Sequence, residues 1–188
     1  KALPAAERLF IDHVMPWIHL GGMNVDIAFQ LDPLSAVMIL VVTGIGSLIH
    51  IYSYGYMDEE PAAWRFFALL NLFTFAMLTL VLGDNLLIMF VGWEGVGLCS
   101  WALIGFWHSD HTNTTAGNKA FIVNRIGDFG FALGIMAIFF AFGSIDFDTV
   151  FGLAGGLAGS SFTFLGAEFD LLTTITFLLF LGAMGKSA

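Results

Sequence analysis

The chain has 188 residues, of which 58% are hydrophobic and only 11% charged, against about 25% charged residues in a soluble domain. This composition, with a mean hydropathy of +0.87, indicates a membrane protein. Fifteen acidic against six basic residues give a net charge of -9, which argues against nucleic acid or anionic lipid headgroups as partners. The single cysteine, Cys99, excludes an intrachain disulfide, a four-cysteine zinc site and a cysteine-held iron–sulfur cluster. A start at Lys1 and an end at Ala188 inside an apolar run predict a piece of a longer protein.

Residues 1–33 differ from the rest of the chain and are expected to lie outside the membrane on the extracytoplasmic side. Ala5 to Leu20 is interpreted as an amphipathic helix broken at Pro16. Apolar and polar residues then alternate from Met23 to Leu31, which predicts a short β-strand or hairpin. Asp32 and Pro33 mark the entry into the first span, since proline is tolerated in the first helical turn.

Residues 34–188 contain five apolar stretches of the length that crosses a bilayer, about 20 residues. They run over 34–57, 65–83, 85–106, 117–142 and 171–188, the last cut short by the end of the chain. Strands of a β-barrel would be half as long and would alternate apolar with polar residues. We therefore predict an all-α transmembrane bundle of about five spans, because only helices satisfy every backbone group within lipid.

The few basic residues near the span ends predict how the spans are oriented in the membrane, because lysine and arginine near span ends favour the cytoplasmic side. Arg65 and Lys119 lie on the side reached after the first and third spans. We therefore expect loops 58–64 and 107–116 in the cytoplasm. The Gly-rich link over 143–170, which carries four acids and no base, is expected outside.

Four ionisable residues lie inside the apolar runs: Glu94, Arg125, Asp128 and Lys186. Each costs roughly 2.5 to 3.5 kcal/mol at a helix centre, and such residues usually pair with each other or mark ion paths. Glu94 lies about 14 Å into its span at 1.5 Å per residue, between glycines that leave room for a helix or for water. Its carboxylate is interpreted as a proton-exchanging group, with a structural ion pair as the alternative.

The other three charges allow both a structural and a functional interpretation. Arg125 and Asp128 are three residues apart and so share a helix face, where they could simply neutralise each other. Lys186 is the stronger transport candidate, because a buried lysine readily exchanges its proton. Gly182 and Gly185 beside it suggest a kinked or broken helix.

The remaining candidates are weaker. His50, the only histidine inside a span, is a candidate proton relay, although a satisfied polar histidine near a span end is the alternative. Asp146 and Asp148 lack the rest of a calcium loop, and there is no phosphate-binding loop or nucleophile elbow. We therefore predict no catalytic redox residue, cofactor site or metal site on this chain.

Long motifs in these spans resemble a known family, the antiporter-like subunit L family of respiratory complex I, NADH-quinone oxidoreductase. The motifs are LDPLSAVMILVVTGIGSLIHIYSYGYM at Leu31–Met57, GWEGVGLCSWALIGFW at Gly92–Trp107, NKAFIVNRIGDFGF at Asn118–Phe131 and GKSA at Gly185–Ala188. The likeness extends from about Asn24 to the end of the chain, whereas residues 1–23 match no motif of the family.

The resemblance implies an inverted-repeat antiporter-like fold, here the third to seventh helices of an incomplete first repeat. Glu94 and Lys186 resemble the pair that exchanges protons within one half-channel, with Lys186 on a broken helix. Arg125, Asp128 and Lys119 match the family's supporting charges.

By this resemblance the chain is a proton-translocating subunit that couples NADH-to-quinone electron transfer, carried out in other subunits, to proton movement. NADH, FMN, iron–sulfur clusters and quinone are expected on those subunits, and neighbouring antiporter-like subunits, lipid and protons are the expected partners. The expected location is a bacterial inner membrane, with the mitochondrial inner membrane as the alternative. Two other functions remain open: an Mrp-type cation/proton antiporter or membrane-hydrogenase subunit, and a membrane scaffold with paired buried charges.

Overall fold

The computed structural model of the chain describes residues 8–187. It is mostly helical, as predicted, with a β-hairpin before the first long helix. The elements in chain order are β1 (Phe10–Leu20), β2 (Met23–Leu31), α1 (Pro33–Tyr56), α2 (Ala63–Leu82), α3 (Leu86–Ile104), α4 (His111–Phe142), α5 (Phe147–Ala154), β3 (Ser161–Phe164), β4 (Ala167–Asp170) and α6 (Leu171–Ser187).

Contacts divide the chain into two compact units, which are described separately below. The first unit holds residues 27–84 and 88–121 with the start of β1, and therefore α1, α2, nearly all of α3 and the beginning of α4. The second unit holds residues 122–188 with residues 16–26 and 85–87, and therefore most of α4 together with α5, α6 and the tip of the first hairpin.

Within residues 8–187, four helices are long and apolar enough to cross a membrane: α1, α2, α3 and α4. The most apolar 18-residue windows of α1 and α2 are each only 6% buried, so these helices present apolar side chains around most of their circumference. Such surfaces are stable in lipid and not in water. α6 is apolar as well, but its described part is 17 residues long.

The predicted amphipathic helix over Ala5–Leu20 is wrong within the described residues, where residues 10–20 form strand β1 instead. A helix would have placed Pro16 in its interior at a cost of about 3 kcal/mol. A two-stranded sheet has only edge strands, which tolerate proline. Gly21 and Gly22, with φ of 62° and 144°, make the tight turn that returns the chain into the predicted strand β2.

Strand β2 is tied to the turn between α2 and α3. In the first unit, Asp84 N donates to Ala28 O over 3.2 Å, and Phe29 forms a β-bridge with Gly83. In the second unit, the buried Asn85 donates from Nδ2 to Asp26 O over 3.0 Å. Val25 and Ala28, which flank these contacts in β2, are both 0% exposed.

The link over 143–170 is more regular than the sequence analysis predicted. It holds the short helix α5, a 3₁₀ turn over Gly155–Leu157, and an antiparallel hairpin in which Ser161 pairs with Asp170. Leu165 and Gly166 turn this hairpin with φ of 49° and 83°, as a two-residue turn requires. The predicted loop 107–116 is also shorter than expected, because α4 begins at His111.

Candidate functional site

The second unit brings together three of the charges predicted inside spans. Asp128 of α4 is only 5% exposed, and its Oδ2 lies 3.8 Å from Nη1 of Arg125 one turn earlier. Lys186 of α6 interacts electrostatically with both of them. Two cations and one carboxylate therefore form a charge cluster, Arg125–Asp128–Lys186, with a formal charge of +1.

Glycines place this cluster by letting α4 and α6 approach closely. A Cβ atom added to Gly127 would lie 2.9 Å from Gly185 Cα, and one added to Gly182 would lie 2.6 Å from Phe131 Cβ. Gly134 continues the contact one turn further along α4, where an added Cβ would meet Leu179 at 2.8 Å. Side chains larger than hydrogen at these positions would move Lys186 away from Asp128.

The predicted break of α6 at Gly182 and Gly185 does not occur within the described residues, since α6 is one continuous helix from Leu171 to Ser187. The two glycines instead make the contact with α4. Their small size serves helix packing, which is the commoner use of such residues in membranes.

Glu94 lies in the first unit, at the ninth position of α3, about 12 Å from the helix start at 1.5 Å per residue. The glycines on either side of it face α2: a Cβ atom on Gly92 would lie 2.7 Å from Ala76 O, and one on Gly95 would lie 2.8 Å from Ala76 Cβ. The Gly-Trp-Glu-Gly sequence therefore fixes α3 against α2, and the partly exposed Glu94 is carried by a closely packed helix pair.

Lys119 and His50 also belong to the first unit. Lys119 is exposed on α4, one residue after Asn118, whose Oδ1 accepts a hydrogen bond from Trp101 Nε1 over 3.0 Å. His50 is half-buried in α1, and its Nδ1 lies 2.7 Å from Gly46 O.

One end of the helices in the first unit carries a belt of aromatic and charged residues. Trp64, Trp101 and Trp107 are 74%, 40% and 47% exposed, as is typical of side chains at a membrane–water boundary. Beside them Arg65 donates from Nη2 to Phe106 O over 2.9 Å, and its Cζ lies 4.7 Å from the centre of the Phe106 ring. Arg65 and Lys119, the two basic residues on which the predicted orientation depends, both lie at this end.

Glu60 joins two loops of this belt. Its Oε2 accepts a hydrogen bond from Trp107 Nε1 over 2.8 Å, and its Oε1 accepts from Ala62 N over 3.2 Å. The hydrogen bond from Trp107, followed by that from Ala62 and by the nearby Arg65 charge, lowers the pKa of the Glu60 carboxyl. The loop after α1 and the loop after α3 are thereby linked at the membrane boundary.

No group of three or more histidine, cysteine, aspartate or glutamate side chains with metal-binding geometry occurs among residues 8–187. Cys99 is fully buried in α3 with a free thiol.

Two family descriptions match this chain. Residues 17–67 match the amino-terminal part of NADH-ubiquinone oxidoreductase (complex I) chain 5. Residues 83–188, more than half of the chain, match the transmembrane region of the NADH:quinone oxidoreductase/Mrp antiporter family. The chain belongs to this family. The resemblance of the motifs around Glu94, Asp128 and Lys186 is thereby confirmed at the level of the family, and the chain is an integral membrane protein.

Individual members of the family are similar over nearly the whole chain. NADH-quinone oxidoreductase subunit L of Rhodobacter capsulatus is 50% identical over 183 residues, covering 94% of this chain and 26% of the relative. Subunit L of Mycobacterium tuberculosis is 47% identical, covering 97% and 27%. NADH-ubiquinone oxidoreductase chain 5 of Chondrus crispus is 46% identical, covering 93% and 26%. The chain thus spans about a quarter of the length of these relatives.

A solved structure of the Mrp complex from Dietzia sp. DQ12-45-1b shares the fold of this family member. Its TM-score is 0.83 at 24% identity, covering 99% of this chain and 19% of that one. The similarity shows that the two chains share a fold.

Proposed function

We propose that this chain is the first-repeat part of a proton-translocating subunit of NADH-quinone oxidoreductase, in which Glu94 and Lys186 carry the proton. Electron transfer from NADH to quinone takes place on other subunits and drives the movement. Arg125, Asp128 and Lys119 support the two proton-carrying groups.

The observation that carries the proposal is the Arg125–Asp128–Lys186 cluster. Lys186 lies within electrostatic reach of both Asp128 and Arg125, and Asp128 is buried beside Arg125, so two different cations share the surroundings of one buried carboxylate. Arginine keeps its proton under all conditions. Lys186 is therefore the cation that can lose its proton, and the loss would leave Arg125 and Asp128 as a neutral pair.

In this proposal the carboxylate of Glu94 is the group with which Lys186 exchanges a proton. An ionisable residue within a span is costly and is most often found where ions or protons move. The close packing of α3 on α2 through Gly92 and Gly95 holds the carboxylate on a rigid element, as a functional site requires.

The orientation is part of the proposal. We place the belt of Trp64, Arg65, Trp101 and Trp107 at the cytoplasmic surface, and residues 1–33 and 143–170 on the opposite side, since basic residues favour the cytoplasmic ends of spans. The proposed location is the cell membrane of a bacterium.

The proposed partners follow from the relatives, which are named as a subunit or a chain of a larger oxidoreductase. We place this chain beside other antiporter-like membrane subunits. NADH, FMN, iron–sulfur clusters and quinone would be bound by the subunits that perform the redox chemistry.

The test uses the full-length protein in its assembled complex, reconstituted in vesicles. Glu94→Gln and Lys186→Met should each lower the number of protons pumped per NADH oxidised, because each removes one exchangeable proton, while the complex still assembles. Glu59→Gln is the matched control, since Glu59 is an exposed loop carboxylate. Unchanged pumping in both span variants would contradict the proposal and would favour a scaffold.

A sodium-for-proton exchanger is distinguished in the same vesicles. Pumping driven by NADH oxidation should proceed at the same rate without sodium if the chain moves only protons. A strict requirement for sodium would instead identify the cation/proton antiporter function.

A further inference from the structure

A small cavity lies between α1 and α2 in the first unit, and we call it the His50 cavity. It is open on one side, where Val41, Ile45 and Ile49 are 45–54% exposed. It has a volume of about 200 Å³, and its walls are mostly aliphatic and aromatic. The two polar side chains that line it belong to His50 of α1 and Thr74 of α2. Of the described residues that line it, His50 is the only one that titrates.

The hydrogen bond of His50 determines which of its two ring nitrogens carries the proton and which has the free lone pair. Nδ1 lies 2.7 Å from Gly46 O, and a carbonyl oxygen can only accept, so Nδ1 carries the proton of the neutral ring. Nε2 is then an acceptor. It is buried and has no hydrogen-bond partner among the described residues.

A buried acceptor without a donor is unfavourable, and water is the donor that the cavity has room for. One water needs about 30 Å³ of liquid volume and at least two polar partners. Thr74 Oγ1 donates to Leu70 O over 3.0 Å, which leaves its lone pairs to accept from a second water. The two polar side chains can therefore hold water on both sides of one small cavity.

The depth of the cavity places it between one membrane surface and the midplane. His50 lies six residues before the end of α1, about 9 Å along the axis, and Thr74 lies eleven residues after the start of α2, about 17 Å along it. The end of α1 and the start of α2 lie on the same side of the membrane, the side with the tryptophan belt. A hydrated cavity at this depth is within reach of bulk water from that surface.

We propose that the His50 cavity is a hydrated proton-holding site, in which Nε2 of His50 takes a proton from water and returns it through the same nitrogen. In loading, a hydronium ion gives its proton to the Nε2 lone pair, so that an O–H bond breaks, an Nε2–H bond forms and one water and an imidazolium remain. Unloading is the reverse. No electron changes hands.

Because of its contact with Gly46, His50 can take up and release a proton at Nε2 but cannot pass a proton through its ring. A through-relay would release a proton from Nδ1 while Nε2 accepts another, but Nδ1 points at a backbone oxygen that cannot take a proton onward. The role of this site in transport rests on the proposed function. The proposed hydration of the cavity does not depend on it.

The first experiment asks whether water enters, and it needs no transport activity. In the full-length complex, with Cys99 and the other native cysteines replaced, Thr74→Cys is treated with a charged, membrane-impermeant methanethiosulfonate added on the side of the tryptophan belt. Thiols react as thiolates, which form only in water. Phe75→Cys is the matched control, since Phe75 is the next residue of α2 and is 68% exposed on the apolar outside.

We expect the cysteine at position 74 to react at least about tenfold faster than the cysteine at position 75, because only the former is hydrated. Equal, slow reaction at both positions would overturn the proposal and would mean that lipid or another protein segment fills the cavity. This outcome leaves the roles of Glu94 and Lys186 untouched, so the two proposals fail separately.

The second experiment asks whether His50 takes the proton. His50→Gln keeps a polar side chain but cannot be protonated, and Thr74→Val removes the second water ligand while preserving shape. Wild type and His50→Gln both keep Glu94 and Lys186, so the proposal predicts a difference in the shape of their pumping-against-pH profiles that is due to His50 alone. Thr74→Val should keep the wild-type profile at a lower rate. Identical profiles for wild type and His50→Gln would overturn the proton-holding role.

Discussion

Gly127 of α4 and Gly185 of α6 meet with no room for a methyl group between them. A Cβ atom added to Gly185 would lie 2.7 Å from Gly127 Cα and 3.3 Å from Val123 O. Each glycine directly precedes a charged residue, Asp128 in one helix and Lys186 in the other. The distance between the two helices at this point therefore sets the strength of the electrostatic attraction between Lys186 and Asp128.

Gly185→Ala should separate α4 from α6 and weaken the interaction of Lys186 with Asp128. We expect a stability loss of about 1–3 kcal/mol, the usual cost of overpacking a close contact, together with lower proton pumping. Thermal unfolding of the full-length protein and vesicle pumping measure the two effects.

Gly55→Ala is the control for this substitution. Gly55 lies in α1, and a Cβ atom there would meet nothing within 4 Å, so the change tests helix propensity alone. Equal stability of the two alanine variants would contradict the role of the Gly127–Gly185 contact.

Asp128→Asn should destabilise the protein by removing a buried carboxylate that attracts both Arg125 and Lys186. The formal charge of the Arg125–Asp128–Lys186 cluster rises from +1 to +2, in a site where Asp128 is 5% exposed. Removing one member of a fully buried ion pair costs about 3–5 kcal/mol, and the loss here should be smaller because the Arg125 side chain is 39% exposed. The amount of assembled complex and its unfolding temperature should both fall.

The double variant Asp128→Asn with Lys186→Met tests this charge argument. It returns the cluster to +1 and should recover assembly relative to Asp128→Asn, but not pumping. If the double variant assembles no better than Asp128→Asn alone, like-charge repulsion is not the cause of the defect.

Gly92→Ala should displace the helix that carries Glu94. A Cβ atom at this position would lie 2.7 Å from Ala76 O and would also meet the backbone of Leu80. Backbone atoms cannot rotate away, so α3 itself must move. We expect reduced stability and a pumping defect, measured on the assembled complex against Gly44→Ala, where an added Cβ has open space.

The long helices were predictable because nearly every residue along each of them is apolar, so that the whole run supports the same prediction. A run such as Pro33–Tyr56 is apolar on all faces, and only a membrane helix satisfies its backbone. The shared face of Arg125 and Asp128 was predictable for a similar reason, since their spacing of three fixes it whatever surrounds them.

The strand β1 and the hairpin β3–β4 were missed because their pattern is short and their turns decide the structure. Gly21 and Gly22 signal a two-residue hairpin turn in the sequence, whereas the turn at Leu165 and Gly166 depends on a positive φ of Leu165 that a leucine does not signal. Weighing the glycine turn against Pro16 would have favoured a strand at β1. The contact of Gly127 with Gly185 was not predictable at all, because a glycine in a span is compatible with a kink as well as with close packing.

Asp32 caps α1 and should make the stability of this helix depend on pH in the acid range. Its Oδ1 accepts from Ser35 N over 2.6 Å, and Ser35 Oγ accepts in return from Asp32 N over 2.7 Å. The hydrogen bond from the Ser35 backbone is the main reason why the pKa of the Asp32 carboxyl is lowered. The stabilisation is then fully present above the unfolded pKa of about 3.9 and is lost as the pH falls through the lower folded value.

Asp32→Ala should cost about 1 kcal/mol of stability at pH 7, and the difference from wild type should shrink as the pH falls below about 4. Asp32→Asn keeps the oxygen acceptor but has no charge to lose, so it should retain most of the stability and show a weaker pH dependence. Thermal unfolding of the three full-length proteins between about pH 3 and 7 measures both effects. A constant difference between wild type and Asp32→Ala across this range would show that the cap does not depend on ionised Asp32, since protonation would then leave the hydrogen bond to Ser35 N intact.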